Sequence, residues 1–211
     1  MMITSRQNSK IQLIKRINSS KRKREQENAY VVEGVRLFEE AVQTRQDIRF
    51  VLYCQGINDR GKDLLTVVQE RGVEVDEIPQ GLMQEIATTE TSQGVLAVLS
   101  FPNFSFLKRV DLCLIVDNIR DPGNMGTLLR TAELAGVQIV IQTPGTVDIF
   151  SPKVLRAGMG AHFRLPVKVM NWNEIGDFLS QQGTGSSIMQ LCRTDVKIGI
   201  ALWDVDFTGP I

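Results

Sequence analysis

The chain has 211 residues, of which 43% are hydrophobic and 23% are charged, a composition typical of a globular protein rather than a disordered one. It contains no apolar run of the roughly 18 residues that a transmembrane helix needs, and its first residues lack the apolar core of a secretory signal. We therefore expect a cytoplasmic protein that does not contact a membrane.

The net charge is zero, but the charges are distributed unevenly. Residues 1–27 hold eight basic side chains and two acidic ones, and the rest of the chain carries the balancing negative charge. Lys21, Arg22, Lys23 and Arg24 form the densest basic run. Such asymmetry indicates an anionic partner, and because no aromatic residue interrupts the run, stacking on nucleic-acid bases is not expected there. The alternative is a solvated helix end.

Three cysteines, Cys54, Cys113 and Cys192, are widely separated and stand next to apolar residues. Their number is odd and their spacing does not match a metal site. We expect buried thiols in a reducing compartment, and no metal.

Strand and helix patterns alternate through the first hundred residues. Ile11, Ile14 and Ile17 recur at helical spacing and predict an amphipathic helix over 7–18. Further patterns predict strands at 30–33, 50–53, 73–78 and 94–99, and helices at 35–42, 60–71 and 79–87. The result is a small α/β domain at 1–100, followed by a polar, proline-containing linker at 101–107.

A second α/β pattern occupies 108–211. It opens with Leu112–Val116, a continuous apolar strand of the kind that is buried on both faces of a parallel sheet. Later patterns predict helices at about 124–135, 151–158 and 173–182, and strands at 138–142, 163–167 and 187–191. The predicted fold class is α/β, with a small N-terminal domain and a parallel-sheet domain.

The loop after that strand, with the helix that follows it, reads DNIRDPGNMGTLLRTA from Asp117 to Ala132. Ligands of parallel sheets bind at the carboxyl ends of strands, and helix N-termini offer free N–H groups to phosphate. Asn124 is placed to cap the helix, and Arg130 can flank a cleft near its start. The spacing matches neither G-x-G-x-x-G nor a P-loop. The alternative is that Asn124 is only a cap and Arg130 only a solvated residue.

The stretch DNIRDPGNMGTLLRTAELAGV resembles the first signature motif of the SpoU/TrmH family of RNA 2′-O-ribose methyltransferases, within the SPOUT superfamily. VVEGVRLFEEAV and SQGVLAV resemble the start and the last strand of that family's N-terminal substrate-binding domain. TPGTVDIFSPKVLRAGMGAHFRLPV resembles the segment after motif one, and DFTGPI the lead-in to motif two. The resemblance spans nearly the whole chain.

The resemblance implies transfer of a methyl group from S-adenosylmethionine to a ribose 2′-hydroxyl of rRNA or tRNA, without a metal. By motif match, Arg130 is the family's catalytic arginine and Asn124 its motif-one asparagine. A guanidinium stays charged and is a poor free base. The simplest role of Arg130 is to bind the phosphate beside the target ribose and to stabilise the developing alkoxide. The resemblance also implies proton removal through Arg130.

With the resemblance, the basic run of Lys21, Arg22, Lys23 and Arg24 is expected to bind RNA phosphates. Other residues carry weaker expectations. Thr194 is the one weak match to a cofactor contact. Lys153 and Arg156 are three residues apart on one helix and are expected near RNA or cofactor, with ordinary surface charge as the alternative. His162, the only histidine, is predicted to be structural. Gly158 stands where the family tends to have serine.

The chain ends at Ile211, before the motifs two and three that build the family's trefoil knot and most of its cofactor pocket. We therefore expect an incomplete knot, an incomplete dimer surface in a family of homodimers, and weak or no activity for this chain alone. An alternative function is a non-catalytic RNA-binding module. That alternative requires RNA affinity without binding of S-adenosylmethionine.

Overall fold

The structure, a computed structural model, describes residues 2–104, 109–182, 191–194, 198–201, 204–206 and 211. Two compact units can be distinguished by their internal contacts. Unit one comprises 1–103, 121–130 and 148–164, and unit two comprises 104–120, 131–147 and 165–211. Unit one thus includes two segments, 121–130 and 148–164, that follow the predicted linker in sequence. The units therefore differ from the two domains predicted from the sequence, which were continuous.

Helices and strands are distributed as follows. The helices are α1 (Ser9–Ser19), α2 (Lys21–Glu27), α3 (Val35–Gln43), α4 (Asp59–Glu70), α5 (Gln80–Ile86), α6 (Pro122–Leu134), α7 (Pro152–Gly158) and α8 (Trp172–Gln182). The strands are β1 (Ala29–Glu33), β2 (Ile48–Tyr53), β3 (Glu74–Glu77), β4 (Val95–Ser100), β5 (Cys113–Val116), β6 (Ile139–Gln142) and β7 (Val167–Val169).

Unit one is built on a four-stranded mixed sheet in the order β1-β4-β2-β3. Strand β4 is antiparallel to both β1 and β2, while β3 is parallel to β2. Side chains alternate across a strand, so β4 serves two cores. Val95, Ala97 and Leu99 enter one core, and Leu96 and Val98 enter the other. This explains why the strand is apolar along its whole length.

Helices cover both faces of this sheet. The fully buried Phe38 of α3 and Val68 of α4 belong to one core, which Leu155 of α7 extends. Ile11, Ile14 and Ile17 of α1 belong to the other core and are fully buried, which confirms the predicted apolar face. Unit one is therefore a three-layer α/β/α arrangement.

Unit two contains the parallel sheet β5-β6-β7. Val110, Ile139 and Ile141 pack with Ile175 of α8 in a small core. The side-chain carbonyl of Gln182, at the end of α8, accepts a hydrogen bond from the Val110 N–H at 2.9 Å. The predicted α/β class is confirmed in both units.

Two sequence-based expectations are wrong. Ala161–Phe163 forms a 3₁₀ turn and the strand runs over Val167–Val169, instead of a strand at 163–167. Gly160, at φ +95°, turns the chain before the 3₁₀ segment, and Pro166 has no N–H for a sheet. Cys192 is exposed, although Cys54 is buried and Cys113 is half-buried. The predicted strand at 187–191 falls largely outside the described residues.

None of the helices in the described part of the chain is both long and apolar enough to cross a bilayer. Those same residues include no group of three or more His, Cys, Asp and Glu side chains that could hold a metal ion.

Candidate active site

The loop after β5 is fixed by Thr143, which follows β6. The Thr143 N–H donates to the Val116 carbonyl at 3.0 Å. The Thr143 hydroxyl donates to Asp117 Oδ1 at 2.5 Å and accepts from the Asn118 N–H at 3.2 Å. Asn118 is in the left-handed region at φ +53°, which asparagine tolerates better than most residues. The loops at the carboxyl ends of β5 and β6 are therefore tied together.

Helix α6 begins two residues earlier than predicted, at Pro122. Asp121 Oδ1 accepts the Asn124 N–H at 2.7 Å, so Asp121 is the capping residue and Pro122 occupies the first helical position. The expectation that Asn124 is the cap is wrong. Asn124 lies within the first turn, and its exposed side-chain amide has no protein partner among the described residues. That amide is free to contact a ligand.

Arg130 lies on the exposed side of α6, and a single side chain holds it. Its Nη1 donates to Sδ of Met159 at 3.1 Å. Met159 ends α7 at φ +48°, with its N–H donating to the Leu155 carbonyl at 3.1 Å. The left-handed conformation costs a residue with a Cβ about 1–2 kcal/mol and is usually left to glycine. The thioether that orients Arg130 therefore belongs to a residue whose backbone is strained.

Helices α6 and α7 approach each other closely at Gly126. A Cβ on Gly126 would lie 2.3 Å from Cβ of Ala157 and 2.7 Å from the backbone N of Gly158. Only glycine fits there, although glycine inside a helix costs about 1 kcal/mol relative to alanine. The close approach brings Arg130, one turn further along α6, to the end of α7.

Arg156 and Lys153 have different surroundings. Lys153 is exposed. Arg156 Nη1 donates to the Thr88 hydroxyl at 2.8 Å, and that hydroxyl donates to Glu33 Oε2 at 2.6 Å. Glu33 is buried and also accepts the Thr88 N–H at 2.8 Å and the Thr89 hydroxyl. Arg156 is therefore tied to the end of β1, whereas Lys153 remains open to solvent.

The predicted basic run divides into exposed and buried residues. Lys21, Arg22 and Lys23 are exposed on α2. Arg24 is 5% exposed, and its Nε donates to Asp148 Oδ2 at 2.9 Å while Nη2 donates to the same oxygen. Its Nη1 donates to a carbonyl of α1 at 2.6 Å. Arg24 therefore differs from the sequence-based expectation, because its guanidinium is buried and neutralised and cannot contact RNA.

His162 is buried beside α7. Its ring lies against Gly158 and 6.0 Å from the ring of Phe150, between centroids. Burial lowers the pKa of His162 to about 4, and the Asp148 charge only partly offsets that effect. Neither ring nitrogen has a hydrogen-bond partner among the described residues. The ring is neutral at physiological pH and has no access to substrate, as expected for a structural histidine.

The predicted cofactor residue Thr194 is exposed and lies outside helices and strands. It belongs to unit two, whereas Asn124 and Arg130 belong to unit one. At the end of β6, also in unit two, Gln142 is 3% exposed, and its Oε1 accepts no hydrogen bond from any described residue. Sequence reasoning missed this acceptor, because only the fold shows that it is buried and unpaired.

Known protein families match the chain on both sides of the predicted linker. The SpoU rRNA Methylase family matches residues 111–209, and the MRM3-like substrate binding domain matches residues 8–97. The 23S rRNA (guanosine(2553)-2′-O)-methyltransferase RlmP of Bacillus subtilis is 31% identical over 181 residues, which cover 86% of this chain and 70% of RlmP. The chain belongs to the SpoU rRNA methylase family.

Matches to other relatives of this SpoU family member cover different shares of those relatives. Mitochondrial rRNA methyltransferase 3 of Xenopus tropicalis is 46% identical over 120 residues, and the match covers 56% of this chain but 28% of that protein. The crystal structure of the SpoU methyltransferase AviRb from Streptomyces viridochromogenes, in complex with the cofactor AdoMet, aligns with a TM-score of 0.83 and 25% identity. That alignment covers 96% of this chain and 78% of AviRb.

The residues that position Arg130 in this SpoU family member were not found by sequence reasoning. Gly126 carried a usable signal, because a glycine within a helix pattern indicates close packing. Met159 carried none, since methionine at a helix end suggests neither a left-handed conformation nor a bond to arginine. The capping role of Asp121 could have been predicted, because the proline that follows it marks the first helical position.

Proposed function

We propose that this SpoU family member transfers a methyl group from S-adenosylmethionine to a ribose 2′-hydroxyl of ribosomal RNA. The observation that carries the proposal is the contact between Arg130 and Met159. It holds an exposed guanidinium with a neutral acceptor, and no carboxylate among the described residues pairs with Arg130. Its charge is therefore available to an anionic substrate. The activity given in the name of RlmP supports this reaction class.

The reaction requires orientation more than acid–base chemistry. S-adenosylmethionine supplies a methyl group that its positive sulfur already activates. Arg130 binds the phosphate beside the target ribose with its planar fork of N–H donors and stabilises the negative charge that develops on the 2′-oxygen. Transfer forms the bond from the 2′-oxygen to the methyl carbon, breaks the bond from that carbon to sulfur and leaves a neutral thioether, while the hydroxyl proton passes to solvent. Met159 limits the directions in which the guanidinium points, so the ribose is held in one orientation. The side-chain amide of Asn124, about 1.7 turns earlier on the same helix, is a second polar contact for this substrate.

Gln142 fits the cofactor. Its buried Oε1 has no donor among the described residues, and leaving a buried acceptor unpaired costs about 1–3 kcal/mol. Gln142 would hold the cofactor by accepting a hydrogen bond from one of its amino groups. The carboxyl end of a parallel strand is also where ligands of such sheets bind. We propose Gln142 as a cofactor-binding residue and keep Thr194 as a second one on the basis of the family resemblance.

RNA binding is proposed for the exposed basic residues. Lys21, Arg22 and Lys23 lie on one short helix, and Lys153 is exposed on α7. Such side chains bind phosphates without reading sequence. Arg24 is excluded from this set by its burial against Asp148.

We further propose that the protein is a homodimer that associates through unit two. The resemblance to a family of homodimers supports this proposal, although it also implies an incomplete dimer surface. Leu134, Val169 and Trp172 of unit two, which are 82%, 56% and 52% exposed, are the apolar side chains that such an interface would bury. Light scattering after size exclusion should give about twice the monomer mass of 23.6 kDa. A monomer mass at every concentration contradicts the dimer. The variant Trp172→Ser should shift the equilibrium toward monomer.

Methyl transfer to unmodified RNA tests the proposed activity. The full chain is incubated with tritium-labelled S-adenosylmethionine and a 23S rRNA transcript made in vitro, and label is sought in alkali-resistant dinucleotides, the signature of 2′-O-methylation. Arg130→Ala should lower kcat by about 100-fold or more, as loss of a transition-state donor does. Arg60→Ala, an exposed arginine on α4, is the control and should retain activity. RNA binding with no cofactor binding and no transfer contradicts the proposal.

A further inference from the structure

A cavity of about 230 Å³ opens where β1 ends and α3 begins, within unit one. Gly34, at φ +95°, makes the turn between the two elements. The side-chain carbonyl of Gln93 accepts the Val35 N–H at 2.9 Å and fixes the start of α3. Arg156 and Met159 close the cavity from α7. We call this cavity the α3 pocket.

Positive charge outweighs negative charge in the lining of the α3 pocket. Arg36 and Arg156 line it, and Glu33 is the single acidic residue in its wall. The Glu33 carboxylate already accepts three hydrogen bonds, from Thr88 and Thr89, and is buried. Arg36 is exposed and has no acidic partner among the described residues. The pocket therefore favours an anionic group between its two arginines.

The same pocket has an apolar wall. Leu37 is 6% exposed, and Met159 presents a thioether chain to the cavity. Gln93, Thr89 and Thr91 add hydrogen-bonding groups. Pockets with a few polar groups on an apolar surface suit small ligands, and a methionine sulfur makes favourable contacts with aromatic rings. An anionic group together with a ring describes a nucleotide.

Met159 joins this pocket to the candidate active site, because its Sδ accepts the Arg130 hydrogen bond while its side chain lines the cavity. We propose that the α3 pocket binds one nucleotide of the RNA next to the methylated ribose, with its phosphate between Arg36 and Arg156 and its base against Leu37 and Met159. The inference rests on the proposed function for the identity of the RNA, but not for the pocket chemistry.

Nucleotide binding is tested by NMR on the full chain, labelled with nitrogen-15, with uridine 5′-monophosphate, uridine and inorganic phosphate as separate ligands. The monophosphate should shift the backbone amides of Gly34, Leu37, Thr89 and Gln93 and should bind more tightly than either of its two parts. Shifts confined to other regions, or none at saturating concentration, overturn the proposal. Equal binding of phosphate and monophosphate overturns the role of the apolar wall.

Arg36→Ala provides the sharpest variant, since this exposed side chain makes no described contact whose loss would disturb the fold. Binding of the monophosphate should weaken at least fivefold. Lys62→Ala, which removes an exposed positive charge from α4, is the matched control and should leave binding unchanged. Equal affinity of Arg36→Ala and the parent chain overturns the proposal.

Methyl transfer separates this inference from the proposed function. Arg36→Ala should raise the KM for RNA at least fivefold and leave the KM for S-adenosylmethionine unchanged. If the parent chain methylates RNA while Arg36→Ala has an unaltered KM for RNA, the pocket assignment is wrong and the activity stands. If the monophosphate binds in the pocket but the parent chain transfers no methyl group, the activity is wrong and the pocket stands.

Discussion

The imidazole of His162 occupies the space that a side chain on Gly158 would need. A Cβ on Gly158 would lie 2.3 Å from Cε1 and 2.9 Å from Nδ1 of His162. Atoms do not approach so closely, so the two residues depend on each other. The family resemblance implies serine at this position, and the buried ring leaves no room for that side chain in this protein.

Gly158→Ser should destabilise unit one by about 1–3 kcal/mol, the usual cost of overpacking a buried site. Adding His162→Ala should recover part of that loss, because the smaller side chain vacates the space. Urea unfolding of the two single variants and the double variant gives the coupling energy. Simple additivity of the two effects would show that the ring does not fill this space.

The neutral state of His162 should make stability depend on pH. Burial lowers its pKa from the ordinary 6.5 to about 4, so the unfolded chain binds a proton that the folded chain excludes. The contribution of His162 to stability is complete above pH 6.5 and falls as pH drops toward 4, by up to about 3 kcal/mol. Unfolding of His162→Leu across this range should show a shallower pH dependence than the parent. Parallel curves would indicate a solvated ring.

Asp148 should contribute strongly to stability through Arg24. Asp148→Ala leaves a buried guanidinium without its counter-charge, which costs about 3–5 kcal/mol. Lys21→Ala, on the same helix but exposed, should change the free energy of unfolding by less than about 0.5 kcal/mol. Similar small losses in both variants would mean that water reaches Arg24.

The salt dependence of RNA binding should depend on three residues of the basic run and not on the fourth. Neutralising Lys21, Arg22 and Lys23 together should flatten the slope of log affinity against log salt by about 2–3, since each phosphate contact contributes roughly 0.7–0.9. Arg24→Met should leave the slope unchanged if the variant remains folded, as circular dichroism can check. A flatter slope for Arg24→Met would place its guanidinium on the RNA.

Elements that depend on residues close together in the sequence were predicted correctly. The isoleucines at 11, 14 and 17 define α1, and its apolar face is fully buried as expected. The apolar run from Val95 to Leu99 is a central strand between two cores. In both cases, the helical or strand period and the apolar character of a few neighbouring residues determine the structure.

Contacts between residues far apart in the sequence could not be predicted in the same way. Arg24 and Asp148 are 124 positions apart, and nothing near Arg24 distinguishes it from the three exposed basic residues before it. The Arg130–Met159 contact depends on how closely two helices approach, which Gly126 determines. Sequence therefore identified Arg130 as the candidate residue, while the fold revealed what orients it.

Met159 should affect activity more than stability. Met159→Leu keeps a side chain of similar size and removes the sulfur acceptor, a loss of about 1 kcal/mol that should lower kcat/KM for RNA about fivefold. Met159→Gly relieves the left-handed conformation at φ +48°, so its melting temperature should not fall, yet its activity should fall at least as far as that of the leucine variant. Full activity in both variants would show that Arg130 orients itself without the thioether. A parallel loss of activity and stability in both would instead make Met159 a packing residue, and the melting temperature of each variant decides between the two.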